Sequence, residues 1–548
     1  MLYCGEVFPK MGNSILPVFS TANWILLFLG LYMIIIIAMG LFYSRRVYEA
    51  DDLTIAGRQL SFVFMVPSII ATWICAGAMM GAAGYAFLFG LQGVIFDPWA
   101  PALCMVLIGI FFAYRMRKAK YTTITDFFNH RYGNLSGFLY TIIQILSAMA
   151  WLGGQLVALG IIVYLTTGFN MQIAVIISTV VIIIVTGFGG LWALSRIDTI
   201  AFILIFIGLL ILLPATIDEV GGFGELMQRA ENWAELPTWS MRMESGAEGY
   251  LWYTGTLGIL LYISAWASLS LGDVPSQVLM QRALAAKTER TAVAGFLTSG
   301  VLYLTIGMIP VLIGISVFTT GMLEGIPVTE AENVLPWAAY AFLSPMAGVL
   351  FIVTLAAAII STSGNSSLII STLIGHNLFR YIKPQATAAE ALKVVRISVP
   401  IVTLLAMAIA LYFETVYKLI VLSGGIQLAT ISGAYIIGYF WTRANAAGAV
   451  SSFFTGLVSW IVIYQSVLPA TMQANMDVLI EGEVYMDWAR DDAIFISLVP
   501  AAVISFLTLI VVSLLTRKKY PPRPMRTRDG EDMSNMPKFF WSRGAYKD

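Results

Sequence analysis

Between Phe351 and Thr372 the chain reads FIVTLAAAIISTSGNSSLIIST, an apolar segment that carries Ser361, Thr362, Ser363, Asn365, Ser366 and Ser367. Hydroxyl and amide groups deep in an apolar helix must meet something polar, because an unpaired buried polar atom costs free energy. Neutral oxygens suit a small hard cation, since they replace part of its hydration shell without holding it too tightly to leave. Such residues also bond back to their own helix or glue neighbouring helices, and the run by itself leaves both uses open.

The elements that must position this run are membrane helices. Of 548 residues, 59% are hydrophobic and 11% charged, far below the charged fraction of about 25% usual in soluble domains. The apolar stretches repeatedly reach about 20 residues, the length that crosses a hydrocarbon core of about 30 Å. The alternating pattern of a barrel strand is missing, so the expectation is an all-α integral membrane protein with about thirteen transmembrane helices. They are expected near 24–43, 61–88, 93–114, 137–165, 171–190, 191–216, 251–272, 292–318, 340–372, 397–413, 419–441, 446–467 and 493–516. Net charge is zero, which argues against nucleic acid as a partner. Cys4, Cys75 and Cys104 form no CxxC pair, and His130 and His376 fall in polar stretches read as loops, so no metal or disulfide framework is expected. No nucleophile–base pair, nucleotide motif or removable signal peptide is legible, and no enzyme activity is expected.

Positive charge sets the orientation. Arg45, Arg46 and Arg58, then Arg115, Arg117, Lys118, Lys120 and Arg131, then Arg282, Lys287 and Arg290 lie after odd-numbered spans, while 217–250, 319–339 and 468–492 are acidic. This places the N-terminus outside, the C-terminus in the cytoplasm, and the chain in a cell membrane, with a bacterial inner membrane expected. Phe223, Leu226, Met227, Ala230 and Trp233 suggest a short helix on the outer surface. The tail beyond Arg517, with PPRP at 521–524, reads as flexible and solvated.

Two spans are interrupted. IIATWICAGAMMGAAG, residues 69–84, is rich in small residues, and SAWASLSLGDVPSQVLMQR, residues 264–282, is broken by Gly272 and Pro275. Paired interruptions in corresponding positions of two halves point to the binding site of an inverted-repeat transporter.

Five motifs carry a family resemblance: AGRQLSFVFMVPSIIATWICAG (56–77), TITDFFNHRYG (123–133), GGLWALSRID (189–198), QRALAAKTERTA (281–292) and AAAIISTSGNSS (356–367). In order and spacing the chain resembles the sodium:solute symporter family over about residues 20–515, and its motifs look most like the choline transporter branch. The resemblance implies a LeuT-type fold of two inverted five-helix repeats. Its divisions would be an extracellular segment 1–22, a peripheral helix and loop 23–60, a first repeat 61–216, an extracellular loop 217–250, a second repeat 251–441, peripheral helices 442–516 and a tail 517–548.

The resemblance also implies site residues. A sodium ion would be held by carbonyls of Ala71, Ile74 and Ala358 and hydroxyls of Ser361 and Thr362. A second sodium site, present in some members, would use Asp198, with Asn365 nearby; here Gly364 and Ala201 replace residues often found there, and Asp198 could instead pair with Arg196. Trp73 and Trp151 match two aromatic positions of a choline-type cage, whereas Ser276 replaces a third. Asp273 stands where that branch has glycine, and Asp97 lies near an acid used by sugar carriers. The expected activity is sodium-coupled import of a small organic solute, favouring a quaternary ammonium, amine or zwitterion. A sugar or carboxylate carrier and a transport-inactive sensor are the alternatives. Sodium is the coupling ion, with no other cofactor, and the solute and the lipid bilayer are the partners.

Overall fold

The computed structural model describes residues 21–45, 54–186, 190–231, 250–251, 253–321, 328–413, 415–478, 484–533 and 536–542. Among them no β-strand forms, and helices account for the architecture. Nine helices are long and apolar enough to cross a membrane, two more spans are bent pairs, and two shorter apolar helices complete a set of thirteen segments. They match the thirteen segments expected from hydropathy. In chain order they are α1 Ala22–Ser44, α2 Phe62–Trp73 with Gly77–Phe89, α3 Gln92–Ala119, α4 Asn134–Thr167, α5 Met171–Thr186, α6 Gly190–Val220 and α7 Gly255–Ser270. The second group is α8 Glu289–Thr320, α9 Pro345–Ile382, α10 Ala388–Phe413, α11 Val416–Thr430 with Ser432–Phe440, α12 Ala446–Ala474 and α13 Ala489–Leu515.

The central helices are α2, α4, α6, α8, α9 and α11. Helix α4 packs on α9 and α11, α6 packs on α9 and the first half of α2, and α8 packs on the second half of α2. Helices α12 and α13 pack chiefly on each other, and α1 lies against α6 and α9. The polar stretch of α9 is buried throughout from Phe351 to Thr372, so its oxygens face protein and not lipid.

Both expected interruptions are present. Helix α2 bends by 56° between Trp73 and Gly77, where Ile74 leaves the helical region at ψ 73°. The freed groups are met from other helices: the Ala76 N–H donates to Gln155 Oε1 at 3.2 Å, and Gln155 Nε2 donates to Cys75 Sγ at 3.3 Å. Broken backbone at this depth is tolerated only where such partners exist. Helix α7 stops at Ser270, and a turn leads to the helix Gln277–Ala285. Gly272 in that turn presses on the main chain of α11, where a Cβ would sit 2.4 Å from Gly424 O, so only glycine fits. Helix α11 also bends, by 51°.

At the acidic-loop end, the segment Val328–Asn333 closes over α2 and α11. Glu332 accepts hydrogen bonds from the N–H groups of Val416 at 2.9 Å and Tyr417 at 2.7 Å, capping the start of α11. Burial pushes its carboxyl above the ordinary range, and the two backbone donors pull it back.

Two expectations change, and a third is met as far as the described residues reach. His130 sits on the helix Ile124–Tyr132, and His376 is buried in the last turns of α9, so neither is a loop residue. The short surface helix is present as Phe223–Glu231, while Trp233 of the expected pattern lies outside the described residues. The segment after Arg517, expected to be solvated, instead packs onto the positively charged end of the bundle. Met533 is fully buried, the Arg528 N–H donates to Ala119 O at 2.8 Å, and Arg115 Nη2 donates to Met533 O at 3.0 Å.

Candidate ion and solute site

Two polar clusters flank the break in α2. The first joins α2, α6, α9 and the helix Gln277–Ala285. Thr362 Oγ1 donates to Ala71 O at 3.0 Å, so a hydroxyl of α9 already touches a carbonyl freed near the break. Ser361, one residue earlier, turns to α6 and donates to Asp198 Oδ1 at 2.6 Å. Asp198 also receives Ser68 Oγ at 2.5 Å and Asn365 Nδ2 at 2.8 Å. Ala71, Ile74 and Ala358 are buried beside these groups.

The partner of Asp198 is Arg282, not Arg196. Arg282 Nη2 lies 3.7 Å from Asp198 Oδ2, and both side chains are wholly buried. The same guanidinium donates to Thr72 Oγ1 at 2.8 Å, Ser68 Oγ at 3.4 Å and Val278 O at 2.6 Å. Arg196 instead donates to Trp192 O and lies over the rings of Tyr43, Phe64 and Trp192. Sequence reasoning took Arg282 as one of the loop cations. The turn at Gly272 and Pro275 carries the following helix back into the protein, and Arg282 goes with it.

The second cluster surrounds a narrow cavity of about 240 Å³, counting the space open to solvent. Trp73, Trp151, Asp273 and Ser276 line it together with Gln144 and Gln427. The two tryptophan rings meet edge to face at 4.9 Å. Asp273 Oδ1 accepts from Gln427 Nε2 at 2.7 Å, whereas Oδ2 has no hydrogen-bond partner among the described residues. Trp73 Nε1, Trp151 Nε1, Gln144 Nε2 and Gln427 Oε1 are likewise buried and unpartnered among those residues. Five buried polar atoms, one of them a carboxylate oxygen, therefore face one small space with hydrogen-bonding capacity to offer.

Asp97 does not line that cavity. It is buried on α3, where its Oδ1 accepts from Tyr303 OH at 2.5 Å, and the Tyr303 ring stands edge to face with Trp73 at 6.4 Å. Asp97 thus reaches the cavity wall only through Tyr303. Trp73 lies between the two clusters in sequence, with Ala71 and Ile74 on either side of it.

Sequence reasoning did not single out Ser68, Thr72, Gln144, Gln155, Tyr303, Arg282 or Gln427 as site residues. Gln144 and Gln155 could have been noticed as amides inside the long apolar stretch of α4. The roles of Arg282 and Gln427 depend on how the broken helices return, which no local pattern states.

Comparison with known proteins bears on the family and the fold. A profile described as the Sodium:solute symporter family matches residues 54–456. The chain is 25% identical over 453 residues to "High-affinity choline transporter 1" of Caenorhabditis elegans, covering 78% of this chain and 75% of that protein. It is also 25% identical over 456 residues to the "Sodium/pantothenate symporter" of Haemophilus influenzae, covering 80% of this chain and 90% of that protein. Among solved structures, a Na+-coupled sialic acid symporter in its substrate-bound outward-open state superposes with a TM-score of 0.71 at 17% identity, covering 93% of this chain and all of that one. That likeness concerns the fold, which is of the LeuT type. With its polar α9, its broken α2 and a family profile matching most of its length, the chain belongs to the sodium:solute symporter family, whose coupling ion is Na+.

Proposed function

We propose that this symporter imports a small solute bearing a quaternary ammonium, amine or zwitterionic head group. The observation that carries the reading is the Asp273 Oδ2 atom, buried without a partner among the described residues in a cavity walled by Trp73 and Trp151. A buried carboxylate needs a compensating charge, and tryptophan faces attract cations through their quadrupoles. One cationic head group answers both requirements.

In this reading a single sodium ion is held by the carbonyls of Ala71, Ile74 and Ala358 and the hydroxyls of Ser361 and Thr362. The contact between Thr362 and Ala71 supports it, because two of the five oxygens already adjoin. Asp198 and Asn365 are taken as a structural hub with Arg282 in place of a second ion site, since a guanidinium already supplies the positive charge there. The ion pins α2 to α9 through backbone on either side of Trp73, and Trp73 presents its ring to the solute. Occupancy of one site therefore orders the wall of the other, and the coupling is reciprocal. Residues 61–216 and 251–441 would form the two inverted repeats, with the remaining helices peripheral. The positive loops place the C-terminus in the cytoplasm of the cell and the N-terminus outside.

The reading is tested with purified protein in proteoliposomes, comparing uptake of choline with that of its neutral tert-butyl carbon analogue under an inward sodium gradient. Expected is saturable choline uptake that collapses when potassium replaces sodium, with the neutral analogue competing poorly. Stronger competition by a sugar or a monocarboxylate would reject the cationic class. Binding of choline without flux would indicate a sensor.

Three substitutions probe the parts separately. Thr362→Ala is expected to raise the sodium concentration for half-maximal uptake about fivefold, the equivalent of about 1 kcal/mol for one lost oxygen. Ser361→Ala should act in the same direction. Unchanged sodium dependence in both would refute the ion site. Asp273→Asn should weaken solute binding in saturating sodium at least about tenfold while leaving sodium binding nearly intact, since it removes a charge from the cavity and not from the ion site. Equal loss of both affinities would instead mark Asp273 as structural.

A further inference from the structure

The C-terminal segment builds a second cleft at the opposite end of the molecule from Glu332. It is walled by α11, the end of α3 and residues Pro522–Met525, and holds about 810 Å³ including the space open to solvent. Arg115, Arg131, Arg523 and Lys538 line it with Tyr439 and Trp441, and among the described residues no acidic one does.

The wall is a built structure. Arg131 spends its donors on main-chain carbonyls: Nε on Gly438 at 3.1 Å, Nη2 on Trp441 at 2.9 Å and Thr442 at 3.2 Å, and Nη1 on Arg523. Tyr121 OH donates to Arg526 O, and the Met533 N–H donates to Met525 O at 2.9 Å, closing the segment into a loop over the cleft. Arg131 thus frames the site but has little left to offer a ligand.

The other three cations do have donors to offer. Arg115 is 4% exposed, its guanidinium lies 5.2 Å from the centre of the Tyr439 ring, and its Nε has no partner among the described residues. Arg523 and Lys538 are exposed, and among the described residues their side chains make no hydrogen bond or ion pair. The positive-inside tendency explains exposed cations on this face. It does not explain a buried guanidinium N–H left unmet beside two further free cations in a cleft without an acid, which mutual repulsion would disfavour unless an anion enters. Phe440, Phe539 and Trp541 stack beside the cleft, with Trp541 half exposed, as aromatic side chains do at the headgroup level of a membrane.

We propose that this cleft binds a phosphate-bearing anion, either a phospholipid headgroup or free phosphate, through Arg115, Arg523 and Lys538. Its place at the cytoplasmic surface rests on the orientation proposed above, whereas the anion chemistry does not. Bound there, the anion would join the C-terminal segment to α3 and link the packing of that segment to the lipid or phosphate at the inner face.

The test uses the full chain in phosphatidylcholine nanodiscs, with thermal unfolding followed as inorganic phosphate is titrated against chloride of equal ionic strength. A parallel set of nanodiscs contains phosphatidylglycerol. Native protein is expected to be stabilised by phosphate beyond chloride, by phosphatidylglycerol, or by both. In the double variant Arg523→Gln, Lys538→Gln, whose exposed side chains leave the fold unchanged, the half-saturating phosphate or lipid fraction should rise about tenfold. Stabilisation by phosphatidylglycerol alone identifies a headgroup site, and stabilisation by both identifies the phosphate group itself as sufficient. The proposal is overturned if neither probe stabilises beyond chloride, or if the double variant responds as the native protein does.

Discussion

Replacing Arg282 by Met is expected to leave the protein folded poorly or not at all, with a loss of about 3–5 kcal/mol, the range found when one partner of a buried ion pair is removed. The physical reason is the carboxylate left behind. Asp198 and Arg282 are both inaccessible to solvent, and the guanidinium also holds Ser68, Thr72 and the end of a helical turn at Val278. Without it, Asp198 keeps three neutral donors but no counter-charge. The double variant Arg282→Met, Asp198→Asn should recover a large part of the loss, because it removes the charge that lacks a partner. Unfolding in detergent by heat or denaturant gives both numbers. If the double variant were no more stable than Arg282→Met alone, the ion pair would not be what holds this junction together.

The second large effect concerns Trp73. Its ring touches Trp151 edge to face and belongs to the cavity wall, while its neighbours Ala71 and Ile74 belong to the proposed ion site. For a cationic solute, Trp73→Leu should weaken binding in saturating sodium by roughly five- to thirtyfold, about 1–2 kcal/mol for a desolvated cation on an aromatic face. Trp73→Phe should retain part of that affinity through its weaker π-face. Equilibrium binding of labelled choline to both variants decides the matter. Equal affinity for Leu and Phe would remove the cation cage and turn the assignment toward a neutral or anionic solute.

Much of this architecture can be read from residue types because lipid imposes a simple rule. Apolar length gave thirteen segments in the right places, and the polar run of α9 stood out because its oxygens have no reason to be in an apolar helix unless protein surrounds them. The breaks in α2 and α7 were legible from glycine, alanine and proline, since each removes either a side chain that would fill a gap or a backbone donor. Trp73, Trp151, Asp273 and Ser276 come together around one cavity as a group, although they stand far apart in the chain. Asp97 does not join them, because the backbone leaves helical geometry at Asp97 within α3 and the side chain meets Tyr303.

What was not legible is of one kind. Arg282 follows a span and precedes Lys287 and Arg290, so by position it resembles an interfacial cation; only the three-dimensional return of the chain shows that it is buried. The segment 521–533 has the composition of a solvated tail, yet basic side chains of α3 and of the helix Ile124–Tyr132 collect its carbonyls. In both cases the deciding partner is hundreds of positions away or on another helix, and local pattern carries no trace of it.

The way Asp198 is engaged bears on how far the protein could concentrate its solute. A sodium ion placed on this carboxylate would join Arg282 as a second cation in an apolar interior, displacing an amide or hydroxyl that already bonds there. With one ion carried per solute, the attainable accumulation ratio rises with the first power of the sodium gradient; a second ion would square it. Membrane voltage adds about 2.3 kcal/mol for each net charge crossing about 100 mV. A permanently cationic solute then moves two charges per turnover and a zwitterion one, so the electrical charge translocated per molecule of solute would read out ion number and head-group charge together.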